Sequence, residues 1–177
     1  MTPAQLAVHD KMRVLWEQHV MWTRSFIISA AESLNDLQLV TERLLRNPSD
    51  FAAVLRRYYG NTTASKFEEA LRNHLLIAAD LVNSAKAGNT AAVEAARRKW
   101  YDNADTIAAF LAGINPYWPE QEWRRLLYGH LRTTEQEAVY RLNKQYARDI
   151  AIYDTVEAQA LEMADLTSRG IIEQFGI

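Results

Sequence analysis

The chain has no cysteine among its 177 residues. Thiol catalysis, iron–sulfur clusters and disulfides are thereby excluded, and the redox compartment is left open. No basic block occurs either, and the formal net charge is only −2. Nucleic acid calls for a clustered Lys/Arg footprint, so no nucleic-acid partner is expected. Long apolar runs are missing: the most apolar short stretch, "FIISAA", is far below the roughly 20 residues of a spanning helix. The start "MTPAQLAVHDKM" lacks the basic opening and apolar core of a secretory signal. No membrane span and a cytoplasmic location are the expectations. There is no glycine-rich phosphate loop, no Walker-type lysine, no Glu-x-x-His and no His-x-x-x-His.

Glycine and proline are scarce, six and four respectively, and they act as punctuation. Thr2-Pro3 with Gln5 reads as an N-cap, a first-turn proline and a capping-box partner. Asn47-Pro48 repeats the device, and Gly60 closes the segment it opens. Ser65 with Glu68 reads as a further capping box. Gly88 follows "LVNSAKA" as a helix C′ residue, and "GINPYWPEQEW" breaks the chain again. In that break Trp118 is expected to staple onto the following helix. The last break, near Asn143, carries no such residue. These signals predict helices over about 3–32, 37–58 (broken near Pro48), 64–87, 90–113, 119–141 and 145–174. No stretch alternates long enough to make a strand. The predicted fold is all-α: an up-and-down antiparallel bundle of about six helices, built from repeated helical hairpins, in a single domain over residues 1–177.

What is present is an apolar seam at bundle spacing, with histidines on it. Val8, Met12, Leu15, His19, Trp22 and Phe26 recur at steps of three and four. Phe67, Leu71, His74, Ala78, Leu81 and Ala85 do the same, and so do Trp123, Leu127, His130 and Thr134. The three histidines are 55 and 56 residues apart. An aromatic residue lies seven before His74 and His130, a leucine three before and another just after, a weak repeat. His9, beside Asp10, reads as a surface residue, and Arg24 and Arg57, which interrupt apolar faces, as ion-pair partners for the acids placed beside the histidines below.

Residues equidistant from a hairpin turn lie side by side. Turning at Gly88, His74 faces Asp102, with Asn103 and Asp105 within one turn. Turning at Asn143, His130 falls beside Asp154 and Glu157, and turning at Leu34, His19 falls near Asp50. Glu157 stands on the otherwise apolar or aromatic series Tyr146, Ile150, Tyr153, Ala160, Ala164. A buried carboxylate there must be paired or metal-bound.

Three readings follow. In the first, His19, His74, His130, Asp50, Asp105, Asp154 and Glu157 supply ligands for a divalent metal such as Zn, Mn or Fe. In the second, each His–Asp pair satisfies itself and fixes helix register. In the third, a His–Asp pair is the general base of a hydrolase-like enzyme, though no nucleophile stands out. The aromatic residues add a possible small-ligand pocket lined by Trp22, Trp100 and Tyr153. The preferred statement is a non-enzymatic bundle whose buried His/Asp layer binds a metal ion or small ligand. A purely structural or partner-binding bundle, such as a homodimer through a leftover apolar face, is the alternative.

The segments "LWEQHVMWTR", "RNPSDF…YYG", "HLLIAADLVNSAKAGN", "RRKWYDNADTIAAFLAGINPYW" and "YDTVEAQALEMAD" together resemble a family of small helical bacterial proteins of uncharacterised function. Copies of that family carry the labels acetylglutamate kinase or glycosyltransferase. The resemblance spans nearly the whole chain and implies no established activity. Its pattern matches His19, Asp50, His74, Asn103, Asp105, His130 and Asp154. An amino-acid kinase needs an α/β sheet and glycine-rich phosphate loops, and this chain has neither.

Overall fold

A computed structural model describes residues 1–177 and is helical throughout, without strands. Six helices run in order: α1 (Pro3–Glu32), α2 (Leu37–Leu45), α3 (Asn47–Lys86), α4 (Thr90–Ile114), α5 (Glu120–Leu142) and α6 (Tyr146–Phe175). The local signals act as expected at most ends. Thr2 Oγ1 accepts from the Gln5 amide at 3.2 Å, while the Thr2 amide donates to Gln5 Oε1 at 2.9 Å. Asn89 Oδ1 accepts from the Ala92 amide and opens α4. Trp118 and Trp123 form the staple of α5, their rings edge to face at 6.3 Å. The Trp118 indole then donates to Leu166 O, and it lies so close over Gly170 that a Cβ there would sit 2.0 Å from Nε1.

One local reading is corrected and another is sharpened. The Ser65–Glu68 box does not cap a helix, because α3 runs straight through it; Glu68 instead accepts from the Ser49 hydroxyl at 2.5 Å. Gly60 does close its helical segment, but a second segment follows it without a loop. Its φ of 77° and ψ of 173° interrupt α3, a conformation glycine adopts without a Cβ clash, and helical geometry resumes at once.

That bend makes the architecture intelligible. α1 packs against α2 and the first half of α3, the second half of α3 against α4, and α5 against α6. These are three helical hairpins. α1 also packs on α6, and α4 on α5, so the hairpins close into a ring. Gly60 alone replaces the linker that Asn115–Pro119 supplies between the second and third hairpins. The leading helices α1, α3 and α5 meet in the middle. Their histidine-bearing seams are turned inward, and Met12, Leu15, Leu71, Trp123 and Leu127 are all buried. No helix is long and apolar enough to cross a membrane.

Candidate metal centre

The three seam histidines converge. His19, His74 and His130 are each 2% exposed, and one ring nitrogen from each lies within 4.8 Å of the other two. The His19 ring centroid is 6.4 Å from that of His74 and 5.8 Å from that of His130. Two apolar clusters fill the interior around the layer. The larger contains Trp16, Phe51, Phe67, Trp118 and Trp123 and extends past the histidines to Leu81 and Trp100. The smaller contains Phe26, Ile27, Leu44, Leu75, Val82 and Ala138.

Asparagines, not acids, orient the first two rings. His19 Nδ1 bonds Asn47 Oδ1 at 3.0 Å, and Asn47 Nδ2 donates to Leu15 O, four residues before the histidine. His74 Nδ1 bonds Asn103 Oδ1 at 2.8 Å, and Asn103 Nδ2 donates to Ala70 O, again four before. The amide NH₂ of each asparagine is fixed by the carbonyl it serves, so its oxygen faces the ring. Nδ1 must then carry the proton, and the Nε2 lone pair is free to accept. On His74 that lone pair accepts from the Trp100 indole at 3.2 Å.

The third hairpin departs from this scheme. Asn47, Asn103 and Gln159 are spaced 56 residues apart, in step with the histidines. Gln159 has one more methylene, and its Oε1 accepts from Thr133 Oγ1 at 2.6 Å rather than from His130. His130 Nδ1 has only Thr134 Oγ1, at 3.5 Å. Burial pushes all three imidazoles toward the neutral form. His19 falls to about 4, with the Asn47 bond opposing the fall. His74 falls to about 3 through burial and then the neighbouring His19. His130 lies well below its ordinary value, from burial and then from both other histidines.

None of the expected acids reaches this layer. Asp50 pairs with Arg46 at 3.2 Å on the first turn of α3. Asp105 accepts from Arg124 at 2.8 Å and from the Tyr128 hydroxyl at 3.0 Å, on the outside of the bundle. Asp154 is exposed. Glu157 is half-buried and shares a hydrogen bond with Glu17, which is raised by burial and then by that neighbour. The reason is helical phase. Asp105 lies two residues after Asn103 and Glu157 two before Gln159, and two residues turn a helix by about 200°. The right turn was identified, but its inward residue is the amide.

The expected α6 seam is wrong in its first half for the same reason. Tyr146 and Ile150 are exposed, while the buried stripe runs through Asp149, Val156, Ala160 and Met163. Of the aromatic candidates, only Trp100 touches the layer. Trp22 is half-buried under the Arg43 guanidinium, 4.9 Å from its ring. Tyr153 lies beneath Arg24 at 4.9 Å, its hydroxyl pushed up to about 12, first by burial and then by Glu17 and Glu157.

Arg24 does pair with buried acids, but with ones the sequence did not single out. Its Nη1 donates to Glu137 Oε1 at 2.5 Å and to Asp149 Oδ1 at 2.7 Å. Arg141 approaches the other Asp149 oxygen at 3.4 Å. Glu137 and Asp149 are 1% and 0% exposed, and burial pushes the Glu137 carboxyl up to about 7 against the pull of Arg24. Asn47 is the other omission. It reads as a helix-start residue beside Pro48; its 56-residue spacing to Asn103 was the available signal.

Comparison of the chain with protein-family models, with curated proteins and with solved structures returns no match.

Proposed function

We propose that this protein binds one divalent transition-metal ion through His19, His74 and His130. The observation that carries the reading is the convergence of three neutral imidazoles from three different helices onto one buried point. Neutral rings do not have to lose protons before they bind. Asn47 and Asn103 hold Nδ1–H on two of them, the outer-shell arrangement that aims Nε2 at a metal. An all-imidazole set suits Zn or Fe better than Mn, which prefers carboxylate. A tetrahedral ion at ~2.0–2.1 Å from each nitrogen sets those nitrogens ~3.4 Å apart, so binding draws the rings inward and takes His74 Nε2 from Trp100. A fourth coordination position remains for an exogenous ligand.

A second reading has its own observation. The Trp100 indole already satisfies the His74 lone pair, as a layer that only holds helices in register requires. Elemental analysis of untagged protein, with melting curves in zinc and in EDTA, separates the two. Metal binding is supported by near-stoichiometric metal that His74→Ala or His130→Ala abolishes, with a melting point that EDTA lowers. No metal after zinc loading, and melting indifferent to EDTA, rejects it in favour of the structural layer.

A further inference from the structure

One helical turn beyond the histidines the bundle contains a cavity. Thr23, Ala78 and Thr134 line it, and each stands four residues after one of the three histidines. The cavity is therefore the next layer of the same three helices. Two side chains belong to both layers. Trp100 forms part of the wall and donates to His74 Nε2, and Thr134 lines the cavity and approaches His130 Nδ1.

Its size and chemistry restrict what fits. The volume is about 20 Å³, above the threshold for one water-sized molecule and too small for an organic substrate. Ten of the 13 lining residues are hydrophobic. Two of the three polar ones are already committed, and the third, Thr134, has only its 3.5 Å approach to His130 Nδ1. The Thr23 hydroxyl donates to His19 O at 2.7 Å, and the Glu135 carboxylate is held by Arg97. Water needs two to four polar partners, and an anion needs a counter-charge; this wall offers a guest one free hydroxyl, that of Thr134, and no cation.

We infer that this cavity receives the exogenous ligand of the histidine-bound metal, and that the ligand is a neutral diatomic molecule of the size of dioxygen or nitric oxide. The inference rests on the metal-site reading above and adds to it the identity of the ligand class. Coordination here is reversible addition at an open position, with no bond broken in the guest.

The test uses the full chain, anaerobically loaded with ferrous iron, its iron content measured first, then titrated with nitric oxide and followed by the iron–nitrosyl EPR signal. In parallel, metal-free protein is placed under xenon and the methyl resonances of Leu44 and Leu75 are followed. Wild type is expected to bind nitric oxide saturably and to show saturable xenon shifts. Ala138→Leu, which fills the cavity two turns from His130, is expected to keep its iron, weaken nitric oxide by about tenfold or more and lose the xenon shifts. Leu44→Ala, which enlarges the cavity, is expected to admit ethyl isocyanide to the iron where wild type excludes it. Equal nitric oxide affinity in wild type and in both variants at equal iron content overturns the inference, as does iron-loaded wild type that binds none. If wild type retains no iron, the metal site itself fails and this inference falls with it, an outcome read before any gas is added.

Discussion

The molecule buries polar groups in two places, and it treats them oppositely. In the histidine layer three like groups converge and burial holds all of them neutral. Around Arg24, opposite charges meet: the guanidinium bridges Glu137 and Asp149, with Arg141 behind. In the second cluster the charges offset one another, although Glu137 Oε2 and Arg141 Nε are buried without a hydrogen-bond partner. The first contains no opposite charge: His19, His74 and His130 each bring one ring nitrogen to a common point, and a cation is the species that would complete it. Burial of polar residues therefore points to a cation where lone pairs converge with no opposite charge among them.

The largest expected break in this comparison is Arg24→Met. It leaves two buried carboxylates without their shared counter-ion, and removing one member of a buried pair costs about 3–5 kcal/mol. Urea denaturation at neutral pH measures it, and a loss below about 1 kcal/mol would mean the cluster is solvated.

Acid separates the two regions by sign. The histidines have lowered native values, so metal-free protein has their full stabilisation above pH 6.5 and loses it as the pH falls toward 4. At about 1.4 kcal/mol per unit, His19 alone accounts for roughly 3 kcal/mol. Glu137 is raised from 4.5 to about 7, so its contribution is complete below pH 4.5 and is lost as the pH rises through 7. The two slopes oppose each other between pH 4.5 and 6.5. Glu137→Gln is expected to remove the falling limb and leave stability rising to about pH 6.5 and level above it in chemical denaturation. An unchanged profile would refute the assignment.

The orienting amides give a smaller effect. Asn47→Ala and Asn103→Ala each leave a buried imidazole N–H without its acceptor, expected to cost about 1–3 kcal/mol. On the metal reading they also weaken zinc by about 10–100-fold. Gln159→Ala is expected to do less on both measures, within about 1 kcal/mol, because Gln159 serves Thr133 and not His130. Equal effects from all three amides, in thermal melts and zinc titrations, would remove the distinction drawn between the hairpins.

The fold was legible in the sequence to within a residue or two at most helix ends. Thr2, Pro3, Gly88, Asn89 and Pro119 act through local bonds and backbone limits that need no tertiary partner. Ser65 and Glu68 misled because a capping motif is only an offer, and a continuous helix held by packing on α4 declines it. The site was half legible. His19, His74 and His130 stood out because seam period and 55–56 spacing are sequence properties. Their partners did not, because choosing Asn103 over Asp105 requires the rotation of α4 against α3, and an error of two residues turns a side chain to the far face. Glu137 and Asp149 were missed because neither falls on a seam until α5 and α6 have been docked on Arg24.

By itself, then, the sequence determined six helices, their breaks, and three inward histidines, since these follow from periodicity and from what glycine, proline and capping side chains permit. Only the tertiary structure decided that the three histidines share one point, that asparagine amides rather than carboxylates hold two of them, and that a small apolar cavity adjoins them. Each of these depends on the relative phase of separate helices, and phase is set by how side chains from distant parts of the chain interlock.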